Sequence, residues 1–216
     1  MEPGYHAVAC NFHDIRILDS ALLENCKARV ASSVTGSLKI SFGGPYENVS
    51  AKTQALLYST RVTDTVKGDN IKGKHSYLRY IEATGQVTLV DCEVKTVKAK
   101  GSLSIMSEDV TCNPNLLEAD GEVILNGILH CAEIISKSNV SLICSHVDNV
   151  KAYNEVFLNE STIVNLTLIA TINKPIIALH ASVIENLIIH SFLEEIHPVI
   201  TGIHPLSIKI IYHPPR

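Results

Sequence analysis

Apolar and polar residues alternate along most of this chain, and the alternation breaks at regular intervals. Thr84-Gly85-Gln86-Val87-Thr88-Leu89 lines up with Lys100-Gly101-Ser102-Leu103-Ser104-Ile105 and with Asp120-Gly121-Glu122-Val123-Ile124-Leu125. Lys137-Ser138-Asn139-Val140-Ser141-Leu142 and Tyr153-Asn154-Glu155-Val156-Phe157-Leu158 extend the series. Thr35-Gly36-Ser37-Leu38-Lys39-Ile40 opens it, and Lys52-Thr53-Gln54-Ala55-Leu56-Leu57 fits more loosely. Each unit has a second half: a small residue, then apolar ones two, five and seven positions on. It reads Cys92, Val94, Val97, Ala99, then Cys112, Pro114, Leu117, Ala119, then Leu129, Cys131, Ile134, Ser136. Ser145, Val147, Val150, Ala152 continue it, as do Ser161, Ile163, Leu166, Leu168 and Ser182, Ile184, Leu187, Ile189.

A period of two marks strands whose alternate side chains point inward. The corner positions Gly36, Thr53, Gly85, Gly101, Gly121, Ser138 and Asn154 recur every 16 to 20 residues, with one gap of 32 over a degenerate unit near 66–81. One such unit cannot bury its apolar side alone, so copies must stack. The pattern predicts an all-β fold, a single-stranded parallel β-helix (β-solenoid) of about nine turns with about 17 residues per turn. Gly, Ser or Asn at the corner is expected to supply a positive φ. In this reading residues 31–190 form the solenoid, and 1–30 and 191–216 are cap segments that cover its open strand edges. Residues 19–28 read as a short helix in the first cap. His197-Pro198, His204-Pro205 and His213-Pro214 punctuate the second, since proline lacks the donor that another strand would need.

The Gly-x-[Val/Leu]-x-[Leu/Ile] turn, followed by [Ser/Cys]-x-[Val/Ile]-x-x-[Val/Leu]-x-Ala, resembles the repeats of short right-handed parallel β-helix proteins. Among these are the polymer-forming bactofilins and adhesin-like solenoids with short rungs. The resemblance covers residues 34–190 and implies architecture; it assigns no activity. The chain departs from bactofilin-like rungs in being poorer in Gly and Ala, and it lacks the hexapeptide run of left-handed acyltransferase helices.

Composition supports a narrow coil. Aromatic residues are 5% of the chain and Trp is absent, so Val, Ile, Leu and Ala carry the interior. A net charge of −4 gives no reason to expect a nucleic-acid partner. No apolar stretch approaches the roughly 18 residues of a membrane span, and residues 1–20 do not read as a secretory signal. Six cysteines without a Cys-x-x-Cys pair read as reduced thiols in a cytoplasmic setting, the alternative being export by a signal-independent route.

Little in the chain points to chemistry, and no cofactor is expected. Cys92 and Cys112 fall in the same inward slot of consecutive turns, which reads as a ladder of small buried side chains, with a disulfide as the alternative. Cys144 projects outward beside His146, with His130 one turn earlier. A Cys-His pair can activate a thiolate, although two outward residues on one strand are more often plain surface. His190, His197 and His204 are weak metal candidates, without the spacing of a helical ligand pair. The longer units gain residues after their first strand, at 42–48, 106–111 and 126–128. Stacking should bring these loops to one corner, so Tyr46, Glu47, Glu108, Asp109 and Asn126 are the candidate binding residues. The favoured function is a non-enzymatic scaffold that binds a protein partner or self-associates. The alternative is a β-helix enzyme acting on a carbohydrate polymer, with Glu108 and Asp109 near its site.

Overall fold

The computed structural model describes residues 4–108, 111–170, 175–192, 199–202 and 207–213, and every regular element among them is a strand. The chain divides into two compact units, Met1–Cys112 and Asn113–Arg216. The first unit opens with β1 (Tyr5–Val8), β2 (Asp14–Ile17), β3 (Ala21–Glu24), β4 (Val30–Ser33), β5 (Leu38–Ser41) and β6 (Tyr46–Ala51). It continues with β7 (Gln54–Tyr58), β8 (Arg61–Gly68), β9 (Asn70–Lys74), β10 (Tyr77–Ala83), β11 (Val87–Val90), β12 (Glu93–Ala99) and β13 (Leu103–Met106). The second unit holds β14 (Leu116–Ala119), β15 (Val123–Asn126), β16 (Cys131–Ser136), β17 (Val140–Ile143), β18 (His146–Ala152) and β19 (Glu155–Asn159). Its last strands are β20 (Thr162–Ala170), β21 (Ile176–His180), β22 (Val183–Ser191), β23 (Val199–Thr201) and β24 (Ser207–Tyr212).

In each unit the odd-numbered strands stack in one sheet and the even-numbered strands in another, all parallel to their neighbours. This is a parallel β-solenoid, as the alternation predicts. In the first unit the inward ladders run Leu38, Ala55, Ile71, Val87, Leu103 and Ile40, Leu57, Gly73, Leu89, Ile105. In the second they run Val123, Val140, Val156, Ile177 and Leu125, Leu142, Leu158, Leu179. The degenerate stretch near 66–81 therefore stacks as a turn of the coil, with a register shift where β10 meets β8 between Leu78 and Tyr80. Its Gly73 leaves room that Leu78, Leu89 and Cys92 fill, since a Cβ there would lie 2.9, 3.0 and 3.2 Å from them.

Two expectations need correction. Residues 19–28 are not a helix. Ala21, Leu23, Cys26 and Ala28 are buried at alternating positions around a corner, and β3 pairs with both β1 and β5. Rung-to-rung pairing overrides the helix propensity of Ala, Leu and Glu. Among the described residues strand pairing runs from Tyr5, and beyond 190 it includes β23 on β21 and β24 on β22. Lastly, the small slot expected at Leu129 belongs to Ile128, which is fully buried while Leu129 is exposed.

The corner glycines also act differently from expectation. Gly36 carries no positive φ; a Cβ there would lie 2.6 Å from the Ser20 backbone nitrogen, so close approach excludes any side chain. The left-handed residues stand at the other corner, just after the odd strands: Ala9, Asn25, Phe42, Ser59, His75, Asp91, Cys144, Glu160 and Ala181, with φ between 47° and 53°. Such a conformation costs an L-residue about 1 kcal/mol. The residue that follows offsets it. Ser145, Ser161 and Ser182 donate their hydroxyls to the carbonyls two residues back, at 2.8, 2.8 and 2.7 Å. The same oxygens accept backbone N–H groups from the preceding turn, from Ile128 at 3.1 Å, Ser145 at 3.1 Å and Ser161 at 3.0 Å. Over these three turns the small slot is therefore an internal hydroxyl ladder.

Candidate functional site

Within the first unit, the loop-corner residues Tyr46 and Glu47 do not meet Glu108. Tyr46 follows the Gly43-Gly44-Pro45 bend, and its ring is wholly buried in the first unit, the hydroxyl donating to the Cys26 carbonyl at 2.9 Å. It is a core anchor. Glu47 is exposed and lies 3.7 Å from Arg29, which pairs more closely with Asp14 at 2.6 Å. Those two carboxylates, Asp14 foremost, raise the Arg29 pKa further. Glu108 is exposed, and its backbone N–H donates to the Asp91 carboxylate at 2.8 Å. The loops after β5 and β13 are four steps apart in their sheet, or roughly 19 Å at one strand spacing per step. Asn126 closes β15 in the second unit. Asp109 lies outside the described residues.

The outer face of the even-numbered sheet in the second unit carries more chemistry. Asn149, Asn165 and Asn186 share one register position on β18, β20 and β22. Asn165 donates to the Asn149 side-chain oxygen at 3.0 Å and Asn186 to that of Asn165 at 3.1 Å. Ser207 completes the row by donating to Asn186 at 2.9 Å. Beside this ladder lies a groove of about 740 Å³, lined among others by Thr167, His190, Phe192 and His213. His190 and His213 stack at 5.1 Å and share a hydrogen bond of 2.8 Å, and Phe192 stacks on His213 at 4.9 Å. His197 and His204 lie outside the described residues.

Along the same sheet, His130 precedes β16, while His146 and Asp148 sit two apart on β18 and so face the same way. Asp148 binds both imidazoles with different oxygens: His130 Nε2 donates to Oδ2 at 3.0 Å, and His146 Nε2 lies 3.5 Å from Oδ1. The two rings stack at 5.7 Å. Sequence reasoning singled out His130 and His146 but passed over Asp148, whose signal is its two-residue offset from His146. The asparagine ladder was legible too, in the recurring Asn149-Val150, Asn165-Leu166 and Asn186-Leu187 pairs.

Cys144 faces Glu160, with Sγ 3.7 Å from the carboxylate. Cys92 and Cys112 are free and buried, as a ladder of small side chains requires. Burial pushes each of their thiols up to about 11. A raised thiol pKa contributes stability in full below the unfolded value of 9.0, and that stability is lost as pH rises through about 11. Titration of the native protein with an aromatic disulfide at pH 8 should therefore show fast reaction at Cys144 and slower reaction at half-buried Cys10. The other thiols should appear only in denaturant. Fast labelling that survives Cys144→Ser would overturn this assignment. Comparison with known families, curated proteins and solved structures finds no match, so the chemistry of these sites rests on their own geometry.

Proposed function

We propose that this protein is a non-enzymatic scaffold that self-associates through the ends of its coil. The observation that carries this reading is the C-terminal strand edge. β23 and β24 are last in their sheets, so each pairs on one side only among the described residues. Ile208 and Ile210 are in register with Leu187 and Ile189, which are 1% and 0% exposed, yet they are themselves 47% and 49% exposed. Inward-type apolar residues on an unpaired edge present what a further rung would bury. The first strands, β1 and β2, likewise pair on one side only, with Ala7 and Ile15 as their inward residues. A second copy seating its β1 and β2 edge on β23 and β24 repeats the rung-on-rung contact that holds each unit together. Such a head-to-tail contact is heterologous, so each copy added presents the same pair of edges to the next. The resemblance of the repeat to polymer-forming bactofilins agrees with this reading, and buried thiols such as Cys92 and Cys112 suit a reducing, cytoplasmic setting.

Light scattering coupled to size exclusion, under reducing conditions across a concentration series, tests the proposal. The native chain should grow in mass with concentration, and the Ile208→Lys/Ile210→Lys double variant should stay at monomer mass with unchanged far-UV circular dichroism. A native chain that is monomeric at every concentration would sink it. The carbohydrate-enzyme reading has the groove of the second unit on its side. Among the described residues, however, Glu133 is the one carboxylate lining that groove. Glycoside hydrolysis uses two carboxyl groups about 5 to 9.5 Å apart.

A further inference from the structure

We propose that His130, His146 and Asp148 form a binding site for a divalent transition-metal ion of the zinc type. Two imidazoles and one carboxylate are a donor set that zinc and its neighbours favour and that magnesium and calcium do not. The three ligand atoms lie within 4.8 Å of one another. A tetrahedral ion about 2.1 Å from each donor needs ligand atoms about 3.4 Å apart. The carboxylate-to-imidazole separations, 3.0 Å to one oxygen and 3.5 Å to the other, lie near that edge, so an ion enters as the exposed rings swing to close the rest of the 4.8 Å span.

The strands supply the arrangement. His146 and Asp148 alternate on one face of β18, and the chain entering β16 carries His130 onto the same face. Asp148 holds both rings with Nε2 turned toward the centre of the cluster. As the carboxylate only accepts, His130 presents an N–H to it, and on metal binding that proton moves to Nδ1 and frees the Nε2 lone pair. The side chains of His130, His146 and Asp148 are 47%, 41% and 37% exposed, which leaves the ion an entry path and an open fourth position. That position would hold water or a donor from a partner. One carboxylate leaves a divalent complex at net +1, so an anionic donor suits it best.

Titration calorimetry of zinc chloride into the full chain is the test, run in a Cys144→Ser background so that the exposed thiol does not compete. One equivalent should bind saturably. His130→Ala, His146→Ala and Asp148→Asn should each weaken it by at least about tenfold, since even groups that only orient ligands are worth 10- to 100-fold. His190→Ala should leave it unchanged. Cobalt(II) provides a second readout through the visible absorption of a tetrahedral complex, which the same three substitutions should abolish. The three residues are exposed, so melting curves of the metal-free variants should match the parent. No saturable binding, or binding lost in His190→Ala and kept in the other three, would overturn the proposal.

Discussion

Leu142→Asp should unfold the second unit's coil or lower its melting temperature by about 10 °C or more. Leu142 is wholly buried and lies between Leu125 and Leu158 in one inward ladder. Removing its side chain from the interior forfeits about 2 kcal/mol of apolar burial. A carboxylate in its place has neighbouring rungs above and below and apolar side chains across the coil. Desolvating an unpaired charge there costs several kcal/mol more. Together these approach the 5 to 15 kcal/mol that typically separates folded from unfolded chains. Each kcal/mol moves the midpoint by about 2 to 4 °C at this size. The coil cannot evade the charge by slipping, because a one-residue shift turns every inward side chain outward. Ser141→Asp is the matched control. Ser141 occupies the adjacent, outward position opposite Phe157, and a charge there should change stability by no more than about 0.5 kcal/mol. Thermal melts of the two variants decide the matter, and equal losses would mean that the inward and outward faces are wrongly assigned.

Tyr46→Ala should cost about 3 to 5 kcal/mol, the range for emptying an aromatic site in a packed core. Tyr46 is among the largest fully buried side chains of the first unit. Tyr46→Phe should cost about 1 kcal/mol or less. The Cys26 carbonyl that accepts the phenol also accepts the Gly44 N–H at 3.0 Å, so it is not orphaned when the hydroxyl goes. Burial, with a smaller contribution from Cys26, raises the phenol pKa above its usual value of 10.0. Stability from this group is thus fully present below pH 10 and declines as pH rises further, and Tyr46→Phe should remove its share of that alkaline loss. Urea unfolding at pH 7 and above pH 10 measures both effects. If Tyr46 were a ligand-contacting loop residue, its alanine variant would melt like the parent.

The sequence by itself determined the inside of the coil. Alternation is local, so the inward positions of Ser161, Ile163, Leu166 and Leu168, or of Cys92, Val94, Val97 and Ala99, were legible without knowing what stacks on them, and all are buried. Where the alternation was short or rich in helix formers, as around Ala21 and Leu23, the pattern misled, because pairing with the next rung decides such segments. Leu129 was misplaced by one extra residue, which a period cannot register but a packed slot can. Tyr46 looked like surface in a Gly-rich loop. Only the bend that turns its ring inward made it core.

The corners and the outer face belong to the tertiary structure. Ala9, Phe42 and Glu160 carry no local sign of a left-handed backbone; at Ala9 and Glu160 the thiol or hydroxyl of the next residue bonds the corner's backbone groups. The asparagine ladder and the His130–His146–Asp148 cluster join residues 16 to 21 apart or in neighbouring rungs. An alternating sequence states which way a side chain points. Which outward residues meet depends on the length of every turn between them, and stacking alone settles that.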